Sequence, residues 1–431
     1  MLLSEHVGDC EAPCQPVCPV HMNIPLMNRL IVRGDFAKAL PVVKRDIALP
    51  AVLGRICPAP CEAGCRRKQV DQPVAICHLK QFVADEDLKQ AESWMPQLAP
   101  SSGKKVAIIG AGPAGLAAAC YLQQKGHQTE VFDQHDEAGG DLLKIEESIL
   151  PASVLENEIA QIARTGTVIH FNHRIDATEF QQMKEQFDAV WVATGALAAG
   201  ELFGLKCSKQ GIETDKHTYL TSDAKVFAVG NALRPSKLAV RSVGQGKEVA
   251  AIIDGFLQTG IAVAPKERFR SKFGKLEIPE FAEYLKESLH RERVSTSLDF
   301  SAQEARHEAE RCMHCDCRNP ESCKLRIYTD EYGAEQRRFQ TSERRLVQKQ
   351  MYRNGIVYEA EKCIKCGICV RLTRQHQEEF GFTFVGRGFD VKIGVPFNEP
   401  LQLALQKTAQ QVAAYCPTGA LAACKLEEQD V

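Results

Sequence analysis

Residues 105–115 read KVAIIGAGPAG. VAIIG is an unbroken apolar strand, GAGPAG a tight turn, and LAAACYLQQKG a helix that stops at Gly126. TEVFD then supplies a second strand and completes a βαβ unit. In the turn, Gly110 permits the sharp bend, Gly112 lets the backbone approach a pyrophosphate, and Gly115 lets the helix pack closely on the strand. Pro113 and Ala114 open the helix, whose unpaired amides and dipole favour negative charge. Asp133 ends the second strand 23 residues after Gly110, where a carboxylate can accept hydrogen bonds from a ribose. Later strands in FDAVWVATG and AKVFAVGN alternate with helical stretches, so the expected class is α/β, a three-layer Rossmann-like domain over residues 104–265.

The rest of the chain is dominated by cysteine. Fifteen of the 18 cysteines fall into three groups: Cys10, Cys14, Cys18, Cys57, Cys61, Cys65 and Cys77; Cys312, Cys315, Cys317 and Cys323; and Cys363, Cys366, Cys369 and Cys416. Cys120 reads as a small core residue, Cys207 stands alone and Cys424 reads as a free thiol. The start, MLLSEHVGDC, lacks a secretory pattern and no apolar stretch is long enough to span a membrane, so a cytoplasmic setting is expected. There thiols stay reduced, which favours metal ligands over disulfides. Lys and Arg total 53 against 55 acidic residues, so no strong field draws nucleic acid or an anionic membrane.

The order GAGPAG, VFDQHDEAGG, VWVATG, VFAVGNALRP and VRSVGQGKEVA resembles the two-dinucleotide flavoproteins, especially the small subunit of glutamate synthase and the N-terminal half of dihydropyrimidine dehydrogenase. The resemblance implies FAD, with Gly139 and Gly140 along it and Gly195 closing the ATG strand. It also implies that Gly230 and Asn231 stand where the family has Gly-Asp, and that Gly246 belongs to a helix aimed at the flavin ring. One departure matters. The family carries an NAD(P)H-binding insert, yet only 34 residues separate Gly195 from Gly230, and a dinucleotide-binding βαβ unit alone takes ~30.

DCEAPCQPVC and CPAPCEAGC space cysteines by four, but Pro13, Pro16, Pro19, Pro58 and Pro60 argue against regular helix, so loops around inorganic clusters are expected. Residues 1–98 resemble the helical iron-sulfur domain of the same family. Carried over, one cluster takes Cys10, Cys14 and Cys65 with His6 or Asp9 as a possible fourth ligand, and the other takes Cys18, Cys57 and Cys61 with Cys77 or Lys80.

CIKCGICV gives Cys363, Cys366 and Cys369 ferredoxin spacing, and Cys416 in CPTGAL is the natural fourth ligand of a 4Fe-4S cluster. With GFTFVGRGFDVKIGVPFNEPL between them, these motifs resemble the cluster-bearing segment of the largest hydrophilic subunit of respiratory complex I and of related formate dehydrogenases and iron hydrogenases, which implies a ferredoxin-like module over 351–431. In the intervening helical arm, 266–350, RCMHCDCRNPESCKLR places four cysteines where either a cluster or zinc could sit. The expectation is an FAD-dependent iron-sulfur oxidoreductase with three or four 4Fe-4S clusters, an electron-transfer subunit working with a redox partner protein or complex subunits. No catalytic acid, base or nucleophile stands out. The alternatives are a glutamate synthase small-subunit-like protein fed by ferredoxin or a partner, and a non-catalytic metal-binding assembly scaffold.

Overall fold

The computed structural model describes residues 2–195, 203–208, 211–232, 238–289, 292–294, 299–336, 346–351 and 355–423; Cys424 lies outside them. Five parallel strands form the central sheet: β1 Lys105–Ile109, β2 Gln128–Phe132, β3 Val168–His170, β4 Ala189–Val192 and β5 Val226–Ala228, in the order β3-β2-β1-β4-β5. Val106 pairs with Thr129 on one side and Ala189 on the other, so β1 lies mid-sheet.

Alternation along these strands separates two cores. Ala107, Ile109, Val190, Val192, Val226 and Ala228 face a cluster with Phe180 and Met183 of the helix Ala177–Gln186. Val106, Ile108, Ala189, Trp191 and Phe227 face the opposite, larger core. That core holds the helices Pro113–Gln124 and Ala239–Thr259, and it runs on without a break into the N-terminal helices. The sheet is therefore covered on both faces by helices, as expected of an α/β domain.

The N-terminal helices have local causes. Asn23 caps Ile24–Arg33 by accepting from the Leu26 amide at 3.2 Å, Pro25 sits in the first turn, and Gly34 ends the helix at φ +80°. Helices Phe36–Lys44, Pro50–Ile56 and Ile76–Leu88 bury Leu40, Val43, Val52, Leu53, Leu79 and Val83 in the shared core. Glu158 of the sheet domain reaches into this unit and accepts from the Ala51 and Val52 amides at 2.9 and 2.8 Å.

Beyond Gly260 the arm is less helical than its charge pattern suggests. Residues 261–277 carry no helix or strand, and the helices Ile278–Leu285, Ala302–Ala309 and Lys324–Tyr332 follow. The C-terminal part has its own core, with Ile356, Tyr358, Phe382, Ile393, Val412 and Leu421 between an antiparallel sheet and the helices Ile368–Gln375 and Ala409–Tyr415. Three backbone bonds bring the far ends of the chain together: the Val7 amide donates to Glu361, Cys317 to Cys10, and Lys324 to Pro417. No helix among the described residues is long and apolar enough to cross a membrane.

Candidate flavin and cluster sites

The glycine loop joins β1 to its helix at the C-terminal edge of the sheet. A Cβ at Gly110 would lie 2.4 Å from the Ala193 carbonyl oxygen, and one at Gly115 only 2.0 Å from that of Gly110, so both positions demand glycine. At Gly112 a Cβ would meet nothing within 4 Å, which leaves open space at the start of the helix headed by Pro113 and Ala114. Gly139 donates to the Ala111 carbonyl at 2.9 Å, and a Cβ at Gly140 would stand 3.2 Å from Gly112 Cα, so this pair folds over the loop. Gly195 follows β4, and Gly230 follows β5 with its Cβ position 3.3 Å from Ala114. The sheet order reverses between β1 and β4, and ligands of open parallel sheets bind in that crevice. A pyrophosphate and ribose fit the cradle on these grounds.

Asp133 is buried at this edge. It accepts from the Ala111 amide at 2.7 Å and from the His135 amide and Nδ1 at 3.0 and 2.8 Å. A carboxylate offers about four acceptor sites, so capacity remains for a ribose hydroxyl. Sequence reasoning missed His135, although its place two residues after the acid could have raised it. Gly246, expected where a helix N-terminus aims at the flavin, instead lies within Ala239–Thr259, a helix that begins at Ala239. Its Cβ would meet the Ala114 carbonyl at 2.7 Å and Ala117 at 2.9 Å, so its smallness serves helix packing. The side chain of Asn231 lies outside the described residues.

The first two cysteine runs form short helical turns, not the expected loops: Cys14–Val17 and Pro60–Gly64, with Cys18 and Cys65 as their C-caps. Proline is tolerated because each turn is too short to need its missing amide. The two turns pack closely; a Cβ at Gly64 would lie 2.9 Å from the Pro13 carbonyl and 3.0 Å from Val17. They run in opposite directions, so Cys14 faces Cys65 while Cys18 faces Cys61. Two separate groups of thiols result.

Cys57 and Cys77 complete the Cys18 group. Cys77 hydrogen-bonds Cys57 and Cys61, and those contacts hold its thiol well below the usual range. Lys80 is buried beside them and donates to the Leu53 carbonyl at 2.9 Å, with Cys77 Sγ at 3.8 Å. Of the two candidates for the last position, the structure puts Cys77 among the thiols and Lys80 as a cation behind them.

The Cys14 group is completed from an unexpected part of the chain. Cys312 and Cys315 stand beside Cys14 and Cys65, whereas Cys10 stands with Cys317 and Cys323. By these neighbours the four cysteines of 312–323 divide between two groups, and Cys10 sits with Cys317 and Cys323, its carbonyl accepting from the Cys317 amide, instead of with Cys14. His6 is also elsewhere: its Nδ1 lies 3.2 Å from the Lys362 carbonyl, and burial pushes its pKa down to about 4. Asp9 is held by Arg66 at 2.5 Å and by the Phe273 amide at 3.0 Å.

Cys363, Cys366, Cys369 and Cys416 line one cavity with Tyr358 and Leu421. Lys365 at φ +59° and Gly367 at φ +73° curl the loop, which turns the Lys365 amide onto Cys363 Sγ at 3.3 Å. The Leu421 amide donates to Cys416 Sγ at the same distance. Burial pushes Cys312 up to about 11 and Cys369 up to about 12, and neighbouring thiols push the same way. Such sets favour thiolates only around a cationic core, which iron in a cluster supplies. Among the described residues, no three Cys, His, Asp or Glu side chains converge tightly enough for a single metal ion.

Two family models match the first part of the chain. Residues 6–92 match the model of dihydropyrimidine dehydrogenase domain II, 4Fe-4S cluster, and residues 81–246 match that of pyridine nucleotide-disulphide oxidoreductase. The chain joins these two domains. The matches support a 4Fe-4S cluster in the first and FAD in the second. The chain is similar to the NADP(+)-dependent formate dehydrogenase subunit beta of Moorella thermoacetica, 39% identical across 44% of this chain and 30% of that protein. It is 34% identical to the NADPH-Fe(3+) oxidoreductase subunit beta of Geobacter sulfurreducens across 57% of this chain and 35% of that one. The NADPH glutamate synthase small chain of Bacillus subtilis is 34% identical across 60% of this chain and 52% of its own. The chain thus spans about a third to a half of the length of these relatives.

Proposed function

We propose that the chain is the electron-transfer subunit of a flavin and iron-sulfur oxidoreductase, moving electrons between FAD, several 4Fe-4S clusters and a partner protein. When bound, FAD exchanges electrons in pairs or singly and the clusters carry one at a time, so together they convert between the two. Gly110, Gly112, Pro113, Ala114, Gly115, Asp133, Gly139, Gly140, Gly195 and Gly230 would hold the FAD. Three four-cysteine groups would each hold a cluster: Cys18, Cys57, Cys61 and Cys77; Cys14, Cys65, Cys312 and Cys315; and Cys363, Cys366, Cys369 and Cys416.

The observation that carries this reading is the succession of thiol groups from the C-terminal module to the flavin fold. Cys14 and Cys18 are separated by one helical turn, roughly 6 Å of rise, yet face different groups. Just past Cys18, the Pro19 carbonyl lies against the helix Ala239–Thr259, where a Cβ at Gly244 would come within 2.6 Å of it. That same helix packs on the glycine-loop helix through Gly246. At the other end, Cys366 is exposed, which suits exchange with a partner.

Between β4 and β5, which pair directly in parallel, the described residues form no helix and only isolated bridges. The 34 residues between Gly195 and Gly230 are about the length of one dinucleotide-binding βαβ unit alone, which supports electron entry and exit through the clusters. Anaerobically purified protein should carry FAD, iron and sulfide; a colourless protein holding zinc alone would favour the scaffold reading. The similarity to a glutamate synthase small chain over 60% of this chain favours a second version, with a glutamate synthase large subunit as partner. Co-purification with such a subunit would separate the two.

A further inference from the structure

We propose that Cys10, Cys317 and Cys323 form a further iron-sulfur site, whose cluster takes three thiolates, not four, from the described residues. This goes beyond the reading above, because the three four-cysteine sites can fill without it.

Several contacts converge on these residues. The Cys317 amide donates to the Cys10 carbonyl at 3.4 Å, and the Ser271 amide donates to Cys10 Sγ at 3.3 Å. Cys323 caps the helix Lys324–Tyr332, and Arg326 on that helix pairs with Glu11 at 3.1 Å and donates to the Phe269 carbonyl at 2.9 Å. Arg326 thereby ties Cys323 to the loop that carries Cys10. A Cβ at Gly419 would lie 3.1 Å from Cys317 Sγ, so glycine there keeps space beside the sulfur. All three thiols are buried and face one another. Arg326 and the buried Lys362 supply positive charge beside them, which offsets an anionic cluster.

No fourth cysteine completes this site among the described residues, since Cys120 and Cys207 sit against the cores of the sheet domain. Cys416 neighbours Cys323 but lines the cavity of Cys363, Cys366 and Cys369. The adjacent acids are also engaged, Asp9 by Arg66 and Glu11 by Arg326 and Arg270. With three cysteines as its thiolates among the described residues, a cluster held here is a three-iron cluster, or a four-iron cluster with one iron not bound by any of them. That iron is the one most easily lost on oxidation.

The position gives the site a task. Cys315 and Cys317 are two residues apart, at most roughly 7 Å of extended chain, so this site adjoins the Cys14 group. The Lys324 amide donates to the Pro417 carbonyl at 2.8 Å, so it also adjoins Cys416. It bridges the N-terminal groups and the C-terminal one.

Low-temperature EPR of the anaerobically purified holoprotein, before and after mild ferricyanide oxidation, tests this. The expected result is a three-iron signal in the wild type, with iron and sulfide for one cluster beyond the three four-cysteine sites. Cys317→Ser and Cys323→Ser should each lose that signal and that increment while keeping their FAD. A wild type with iron for only three clusters, or without the three-iron signal, overturns the proposal whether or not the variants fold. So does a signal that persists in both variants. Protein without FAD or iron would overturn the functional reading as well, so the two failures are told apart.

Discussion

Arg29 holds Asp316 through two parallel hydrogen bonds, Nη1 to Oδ1 at 3.0 Å and Nη2 to Oδ2 at 2.7 Å. Asp316 separates Cys315 from Cys317, which belong to different groups, and both partners of the pair are largely buried. Burial opposes its ionisation, yet the Arg29 guanidinium holds its carboxyl well below the usual range. The clamp fixes the point where the loop divides its cysteines. Arg29→Met should cost about 3 kcal/mol or more, as expected on breaking a buried pair, and should lower iron content. Unchanged thermal midpoint and iron content would show that the clamp is not needed.

Lys80 is a buried cation behind Cys18, Cys57, Cys61 and Cys77. Burial disfavours its charge, but the thiols around it raise its pKa overall. Positive charge there favours the reduced, more negative state of a cluster. Lys80→Met should lower that cluster's reduction potential by on the order of 100 mV, and Lys80→Arg by much less. Redox titration followed by EPR reads this directly, and equal potentials in all three proteins would contradict it.

Glu158 joins the sheet domain to the start of Pro50–Ile56, the helix that leads to Cys57. Burial pushes its carboxyl up to about 7 from an ordinary 4.5, against the pull of the two amides it accepts from. The folded state therefore favours the protonated acid. Its stabilising contribution is full below pH 4.5 and is lost as pH rises through about 7. Glu158→Gln should remove this part of the pH dependence, on the order of 3 kcal/mol across the window. It should also lose about 1 kcal/mol through the missing acceptor. Apparent thermal midpoints against pH test both, and parallel profiles for the two proteins would exclude the role.

Gly112 and Gly115 should separate cofactor binding from folding. Gly115→Ala puts a methyl 2.0 Å from a carbonyl and should impair the fold and FAD content together. Gly112→Ala meets no protein atom within 4 Å, so the fold should persist while FAD affinity falls about tenfold or more. Normal FAD content in Gly112→Ala would move the pyrophosphate away from this loop.

Local chemistry made the sheet domain legible. GAGPAG, Asp133 and the strand runs give the βαβ unit because backbone sterics and apolar periodicity act over a few residues. The cysteine types were legible too, and the family resemblance already grouped Cys14 with Cys65 and Cys18 with Cys57 and Cys61; the neighbours of Cys10, Cys312, Cys315, Cys317 and Cys323 were not legible. Spacing suggested one centre within 312–323, yet His314 at φ +45° and the Arg29–Asp316 clamp direct neighbouring thiols to different groups. The grouping of Cys14 with Cys65 and of Cys18 with Cys61 came from that resemblance, since it joins residues more than forty positions apart and no local window contains it. The packing role of Gly246 was hidden for a similar reason: its constraint comes from a helix more than a hundred residues earlier in the chain.

The central claim is that this flavin exchanges electrons through clusters, without a pyridine nucleotide bound beside it on the same chain. The most direct test is anaerobic rapid mixing of the purified holoprotein with NADPH or NADH, followed at the flavin absorbance band. Neither nucleotide should bleach the flavin quickly, whereas a one-electron protein donor should reduce the clusters and then the flavin. Rapid, stoichiometric bleaching by either nucleotide would contradict the account.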